Sequence, residues 1–403
     1  LTDAARAPAH GGLTRGRVLA LLALAELLGM SVWFSASALA PQLRALWGLT
    51  PAETGWLTSA VQLGFVAGTA LAAVLNVADV VPSRTLFATS AFAAAAANSA
   101  LLLADGFGAA VWTRFATGFF LAGVYPPAMK MVATWYRDGR GFAIGTLVGA
   151  LTVGKASPFL LHSLQRAGIV PVVLLASASA AAAGALVLRG YRDGPHAFAR
   201  RRFAWDLVGT AWRERPVRLA IGGYLGHMWE LYAMWTWVAA FLAAGAGLGP
   251  RGGDAAAFAA IAAGGAGCVI GGWAADRWGR ERLTIWSMLL SGSCAALIGL
   301  TAGVPALAAA VAVVWGFAVV ADSAQFSALV TELAPSHAVG TALTLQTSLG
   351  FLLTMASIQM VPKLVEAVGW EWAFTALALG PLIGVHLMKR LLRIRESGEW
   401  ESA

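Results

Sequence analysis

The residues Gly272-Trp273-Ala274-Ala275-Asp276-Arg277-Trp278-Gly279-Arg280-Glu281-Arg282 carry five charges in a part of the chain otherwise almost free of them. Apolar runs from Ala255 to Gly272 and from Leu283 to Ala302 flank them, each long enough to cross a bilayer. The stretch reads as a short polar turn between two membrane spans. Its glycines permit a tight turn. Asp276 is free to pair with a helix N-terminus or with an arginine across the turn. The basic excess assigns the turn to the cytoplasmic face.

Composition agrees with that reading over the whole chain. Of 403 residues 59% are hydrophobic and 12% charged, against about a quarter charged in a soluble domain. The formal charge of +8 is better explained by orientation in a bilayer than by nucleic acid, because the basic residues cluster between spans. The bias toward Ala, Gly and Arg suggests a GC-rich bacterial gene, hence a bacterial cytoplasmic (inner) membrane. Cys268 and Cys294 both fall inside spans, which points against a structural disulfide or a zinc site.

Twelve apolar segments are expected as helices, at about 17–40, 54–76, 84–104, 108–133, 142–164, 171–189, 217–243, 255–273, 283–302, 306–330, 339–361 and 371–390. Ala38-Leu39-Ala40 resembles a signal cleavage site, but Pro41 follows directly and the apolar run is long, so the first span is expected to be retained. With both termini inside, 21 of the 28 basic residues are cytoplasmic. Among them are Arg6, Arg84, Arg200, Arg201, Arg202 and Arg280, whereas the outer loops hold only Arg44, Arg166, Arg251 and Lys363. Residues 190–215 read as a cytoplasmic linker, with a surface helix around Trp205 to Trp212, between a first half (1–189) and a second (216–403). The halves show weak internal similarity, the mark of a parallel repeat. Gly145-Thr146 matches Gly340-Thr341, and Glu26 has a rough counterpart in Glu230.

The order Gly272-x-x-Ala275-Asp276-Arg277-x-Gly279-Arg280 resembles the loop signature of the major facilitator superfamily of secondary transporters. In the first half, residues 77–84 hold the equivalent place, keeping Asp79 and Arg84 without the glycines. Arg114-x-x-x-Gly118 resembles the superfamily's pattern in the fourth span, and Gly145-x3-Gly149-x4-Gly154-x3-Pro158 is similar to a glycine-and-proline pattern of antiporters, interrupted by Lys155. The resemblance implies an all-α membrane protein of two pseudo-symmetric six-helix bundles, both termini cytoplasmic, working as a monomer by alternating access. It implies that spans 1, 2, 4, 5, 7, 10 and 11 line the path and that Arg114 contributes cavity charge and proton coupling. It makes Asp79, Arg84, Gly272, Asp276, Arg277, Gly279 and Arg280 a cytoplasmic latch.

Ionisable groups within spans cost from about 2.5 kcal/mol each upward on insertion scales, so they are the first candidates for function. Six stand out: Glu26, Arg114, Lys130, Lys155, Glu230 and Asp322. Glu26 lies near mid-membrane on a stripe with Met30, Trp33 and Ser37, and its carboxyl suits proton coupling. In the seventh span Tyr224, His227, Glu230 and Trp235 gather, and His227 and Glu230 stand i, i+3, close enough to share a proton. No metal-ligand cluster with convincing spacing appears. Lys155 lies too deep to snorkel. It is either a partner for Glu26 or Asp322, or a counter-charge for an anionic cargo. Lys130 follows Tyr125-Pro126-Pro127, whose prolines should kink the fourth span, and sits nearer the cytoplasmic end.

Asp322, Ser323 and Gln325 interrupt the tenth span. Thr344, Gln346, Thr347, Ser348 and Thr354 make the eleventh polar, and Thr58, Gln62, Phe65, Thr69 and Asn76 do so for the second. Such stripes hold helices together or line a wet path. Trp47, Trp56, Trp112, Trp135, Trp278, Trp370 and Trp372 fall at span ends and read as an interface belt.

These features lead to the expectation of a proton-coupled carrier of a small organic or inorganic anion, with no cofactor and no metal. Its partners would be the solute, protons and the lipid bilayer. A proton-antiport pump for amphiphilic or cationic compounds keeps the same fold, and a non-transporting sensor or assembly factor on this scaffold is the rival from another class. An enzyme is disfavoured: there is no Walker loop and no convincing nucleophile–base constellation.

Overall fold

The computed structural model describes residues 14–137, 139–164, 168–196 and 206–397, apart from the side chains at 78, 79, 206 and 211. Arg6, Arg166, Arg200, Arg201, Arg202, Trp205 and the side chain of Asp79 lie outside the described residues. All regular structure among the described residues is helical. In chain order the main helices are α1 (Arg15–Gly29), α2 (Pro51–Val74), α3 (Ser83–Ser99), α4 (Phe107–Leu121) and α5 (Tyr125–Ala133). Next come α6 (Arg140–Leu164), α7 (Ile169–Gly190), α8 (Asp206–Arg213), α9 (Arg215–Ala240) and α10 (Gly249–Trp278). The last are α11 (Arg280–Leu297), α12 (Pro305–Ala321), α13 (Ser323–Leu333), α14 (Val339–Val368) and α15 (Leu379–Glu396).

Ten segments of the described residues are long and apolar enough to cross a membrane, and they correspond to expected spans 2–6 and 8–12. The two others are helical but diluted by polar groups. The first span is not the single helix 17–40: α1 stops at Gly29, a 3₁₀ turn covers Met30–Val32, and Ser35–Ala38 and Ala40–Trp47 carry the chain on. α9 is 26 residues long but holds Arg215, Arg218, His227 and Glu230.

Interruptions fall where the sequence places strain or polarity. The fourth span breaks between α4 and α5, one residue ahead of Pro126-Pro127, which sit in the first turn of α5 where their missing N–H groups cost nothing. The tenth breaks at Asp322, between α12 and α13. Non-helical backbone at membrane depth must satisfy its carbonyls from within the protein. At the first-span break the fully buried Arg114 of α4 does so. Nη2 donates to Val32 O at 3.0 Å and to Trp33 O, while Nη1 donates to Asn98 Oδ1 at 2.8 Å and Ser35 Oγ at 3.2 Å. Asn98 reaches on to Ser177 Oγ at 2.9 Å, tying α3 to α7.

The helices before residue 190 and those after residue 215 meet mainly through α6 against α10 and α2 against α14. Glycine makes the first contact possible: a Cβ on Gly149 would lie 2.7 Å from Gly265 O. Lacking side chains there, the two backbones approach closely enough for dispersion to hold them. The glycines of the antiporter-like pattern thus serve helix packing.

Two expectations about the opening stretch need correction. α10 runs to Trp278, so Gly272 lies inside the helix, where it faces Gly141 of α6. The turn itself belongs to Gly279 alone, at φ 90°, a left-handed setting that only glycine adopts freely. The tryptophan belt is also incomplete. Trp56, Trp112, Trp278 and Trp372 are exposed, but Trp135 is buried with Nε1 donating to Arg192 O at 3.0 Å. Trp370 turns inward to line a cavity.

Candidate functional site

A cavity of about 450 Å³ opens on the face opposite the Gly272–Arg282 turn. The far ends of α9 and α14, the starts of α2 and α10, and the Ser35–Trp47 segment enclose it, with Ser37, Arg44, Thr58, Thr236, Trp237, Asp254 and Glu366 on its walls. Its inner rim carries the Ser37–Thr58 hydroxyl pair, 2.6 Å apart. To one side the His162 ring bridges α6 to Asp254 of α10 and contacts Gln42 at 3.1 Å. His162, inside the expected 142–164 span, was not singled out, and Asp254 was missed because the expected span began at 255, which left it in a loop. α10 starts at Gly249 and takes Asp254 in.

One helical turn deeper lies a cluster of aromatic rings. Trp33 packs on Phe65 at 5.4 Å, Tyr232 at 5.8 Å and Phe351 at 5.9 Å between ring centroids. Phe65 meets Phe351 at 5.0 Å, and Tyr232 meets Trp235 at 5.2 Å. The cluster therefore joins the broken first span, α2, α9 and α14 across the two halves. Into it projects Lys155 of α6, 4% exposed. Its Nζ donates to Tyr232 Oη at 2.7 Å and stands 4.0 Å from the Trp33 ring centre, 5.0 Å from Tyr232 and 5.4 Å from Trp235. Such ring faces attract an ammonium through their quadrupoles. No described carboxylate lies within ion-pair distance of Lys155, although Glu26 acts on it electrostatically.

Glu26, in the last full turn of α1, is wholly buried, and neither carboxylate oxygen has a hydrogen-bond donor among the described residues. It acts electrostatically on Lys155 and on the half-buried Tyr125. Nearby donors are idle as well: Trp33 Nε1, Trp235 Nε1 and Gln62 Nε2 have no acceptor, while Gln62 Oε1 accepts from Thr354 of α14.

In the second half the acids sort differently from the expected His227–Glu230 pair. Glu230 turns between α11 and α12, where Ser291 Oγ donates to Oε2 at 2.8 Å and Trp315 Nε1 to Oε1 at 2.6 Å. His227 Nδ1 instead lies 3.0 Å from Asp322 Oδ1 at the tenth-span break. The i, i+3 spacing put both on one side of α9, but each side chain follows the neighbouring helix that offers it a partner. Tyr224 stacks beside His227 at 6.1 Å and Phe326 at 6.0 Å.

Four further expected site residues stand apart from the aromatic cluster. Arg114 spends its donors on the first-span break. Gln325 accepts from Arg280 Nη1 at 2.7 Å and so belongs to the turn face. Gln346, fully buried, approaches Ser327 Oγ at 3.4 Å. Lys130 lies half-buried on α5. Tyr232, in contrast, went unremarked in the sequence, though it continues the stripe of Tyr224, Met228 and Trp235, and a mid-span hydroxyl demands a partner.

On the turn face Asp276 sits against the first turn of α6, its Oδ2 2.9 Å from where a Cβ on Gly141 would be. Free N–H groups there favour an anion. Arg277 lies over the Trp273 ring at 3.8 Å. Arg280 Nε pairs with Glu332 at 2.7 Å, and Arg395 pairs with Glu281 at 2.6 Å. In the first half Arg84 shares a 220 Å³ cavity with Pro82, Tyr191, Arg192 and Asp193. Asn76 takes the left-handed setting there, φ 49°, in place of a glycine.

The sequence pattern of the Major Facilitator Superfamily matches residues 21–358 and 269–403. The chain belongs to that family, and it is a multi-pass membrane transporter rather than an enzyme. Among solved structures it resembles the nucleoside transporter NupG, crystallised as a point mutant, at TM-score 0.71 and 14% identity, over 93% of this chain and 99% of that one. It also resembles a bacterial homolog of the human lysosomal transporter Spinster, inward-facing and unoccupied. There the TM-score is 0.69 at 15% identity, over 94% of this chain and 97% of that one. No curated protein sequence is similar enough to this chain to match it. At these identities the likeness carries the fold alone.

Proposed function

We propose that the chain is a proton-coupled carrier of a small organic anion, working by alternating access as a monomer in a bacterial cytoplasmic membrane. In this reading α1 with its broken continuation and α9 complete a set of twelve spans, in two bundles of six (1–189 and 216–403) joined by residues 190–215. Both termini and the Gly272–Arg282 turn lie inside, so the 450 Å³ cavity faces outward.

One observation carries the proposal: Glu26 is buried without a hydrogen-bond donor while acting electrostatically on Lys155. Ionised, Glu26 offsets the charge of Lys155. Protonated, it leaves that charge uncancelled and free to draw an anion into the aromatic chamber. Proton and anion would thus arrive together, and the pair leaves the chamber formally neutral when both depart. Arg114, engaged with backbone carbonyls, has no part in the cargo site, and Glu230, satisfied by Ser291 and Trp315, ranks below Glu26 as the coupling acid.

The test is uptake of carboxylates into proteoliposomes with an imposed gradient, acid outside. Accumulation that ignores the gradient, or that survives Glu26→Gln undiminished, overturns the coupling. A second reading, proton-antiport efflux of amphiphilic cations, has one observation behind it: Trp33, Tyr232 and Trp235 already surround an ammonium. Expulsion of a lipophilic cation on acidifying the outside, with no carboxylate transport, selects it.

A further inference from the structure

The aromatic rings between the outer cavity and Glu26 pack on one another, yet several of the strongest donors among them have nothing to donate to. Trp33 Nε1 and Trp235 Nε1 have no acceptor. Among the described residues Lys155 Nζ has one hydrogen bond, to Tyr232 Oη at 2.7 Å, although an ammonium has three protons to give. Buried donors without acceptors are rare in finished structures, and they mark places where a further group belongs. The unpartnered carboxylate of Glu26 lies elsewhere, about two turns toward the turn face along the first span. The chamber is therefore short of acceptors and rich in flat apolar faces.

Resting on the anion reading above, we propose that this ring cluster is the closed form of the cargo subsite and that the cargo is a planar aromatic carboxylate. Its ring slides between Trp33 and Phe351, which now stand 5.9 Å apart at a tilt of 41°. It thereby exchanges one ring–ring contact for two. Its carboxylate takes the protons that Lys155 and the indole groups hold idle. Binding of this kind draws on both halves at once, since Trp33 and Lys155 lie before the linker and Tyr232, Trp235 and Phe351 after it. A saturated ring of the same size keeps the charge but loses the stacking, and a short aliphatic acid loses the body as well.

Purified full-length protein is titrated calorimetrically with benzoate, cyclohexanecarboxylate, pyruvate and benzyltrimethylammonium. The expected result is benzoate binding about ten-fold tighter than cyclohexanecarboxylate, the worth of two ring–ring contacts. Phe351→Leu leaves one of the two ring–ring contacts and should narrow that ratio to about three-fold, and this variant removes no charge from the core. Lys155→Met should abolish binding of benzoate and pyruvate alike, with its folding checked by thermal unfolding. Equal affinity for benzoate and cyclohexanecarboxylate overturns the aromatic subsite while leaving the anion reading in place. Binding of benzyltrimethylammonium with no response to any carboxylate, or no response to all four probes, overturns both.

Discussion

Arg114 carries the sharpest quantitative consequence. The superfamily resemblance casts it as a cavity charge, whereas its guanidinium bonds Val32 O, Trp33 O, Asn98 Oδ1 and Ser35 Oγ at the break in the first span. Asn98 and Ser35 keep a bond to each other at 2.6 Å without it. Val32 O likewise keeps the Ser35 hydroxyl at 3.1 Å, whereas among the described residues Arg114 is the donor that reaches Trp33 O. Arg114→Ala therefore leaves one buried carbonyl bare, at about 1–3 kcal/mol. For a chain of 403 residues the unfolding entropy is roughly 0.85 kcal/mol/K, which converts the loss to a fall in Tm of about 1–4 °C. Arg114→Lys should recover only part of it, since one ammonium does not reproduce the planar fork that reaches two carbonyls and an amide. Scanning fluorimetry of the detergent-purified protein measures both. An Arg114→Ala protein that melts at the same temperature as the unaltered one yet transports nothing would refute the structural role and restore Arg114 to the transport path.

Glu26→Gln should abolish proton-driven accumulation in proteoliposomes while sparing counterflow exchange of cargo, whereas Glu230→Gln should leave driven uptake present. The second change puts an amide in front of the Ser291 and Trp315 donors, costing about 1–3 kcal/mol and showing as a lowered Tm. Tyr232→Phe removes the hydrogen bond that Lys155 gives to Tyr232 Oη and should lower Tm through the loss of about 1.5–3 kcal/mol, read by the same fluorimetry. Gly149→Val places branched carbon where only 2.7 Å separates a Cβ from Gly265 O, so α6 and α10 must part. Cysteine introduced on the turn face should then label faster, and unchanged labelling would contradict the packing account.

The fold was legible because bilayer physics writes it in long apolar runs, and the opening stretch needs few residues to orient two of them. The breaks at Pro126 and Asp322 were legible for the same reason, since each residue type disrupts an apolar helix in its own way. What stayed hidden depends on side-chain direction. His227 and Glu230 share a helix face, but a rotamer apiece sends one to Asp322 and the other to Trp315. Tyr232 drew no notice because a tyrosine among apolar residues looks like packing until an ammonium is seen 2.7 Å from its hydroxyl. Asp254 was lost to a boundary set six residues late, which is enough to move a buried carboxylate into an imagined loop. Periodicity reports where a residue sits on a helix; it does not report which neighbour that face will meet.

Under the proposed mechanism the Lys155–Tyr232 bond ties coupling to motion. Lys155 belongs to the first half and Tyr232 to the second, so the bond is a strap across the plane along which the halves must rock. Cargo that competes for the Lys155 protons weakens the strap, and protonation of Glu26 removes the opposing charge that would otherwise make the competition costly. Toward the turn face the halves are held by Asp276 against α6 and by glycine contacts that bring no side chains to disengage. The chamber, where the contacts are aromatic and exchangeable, is accordingly the place where a bound solute can shift the balance between the two closures. A solute reaches that point only by replacing contacts from both halves at once, which makes occupancy, rather than either bundle alone, the quantity that sets the rocking equilibrium.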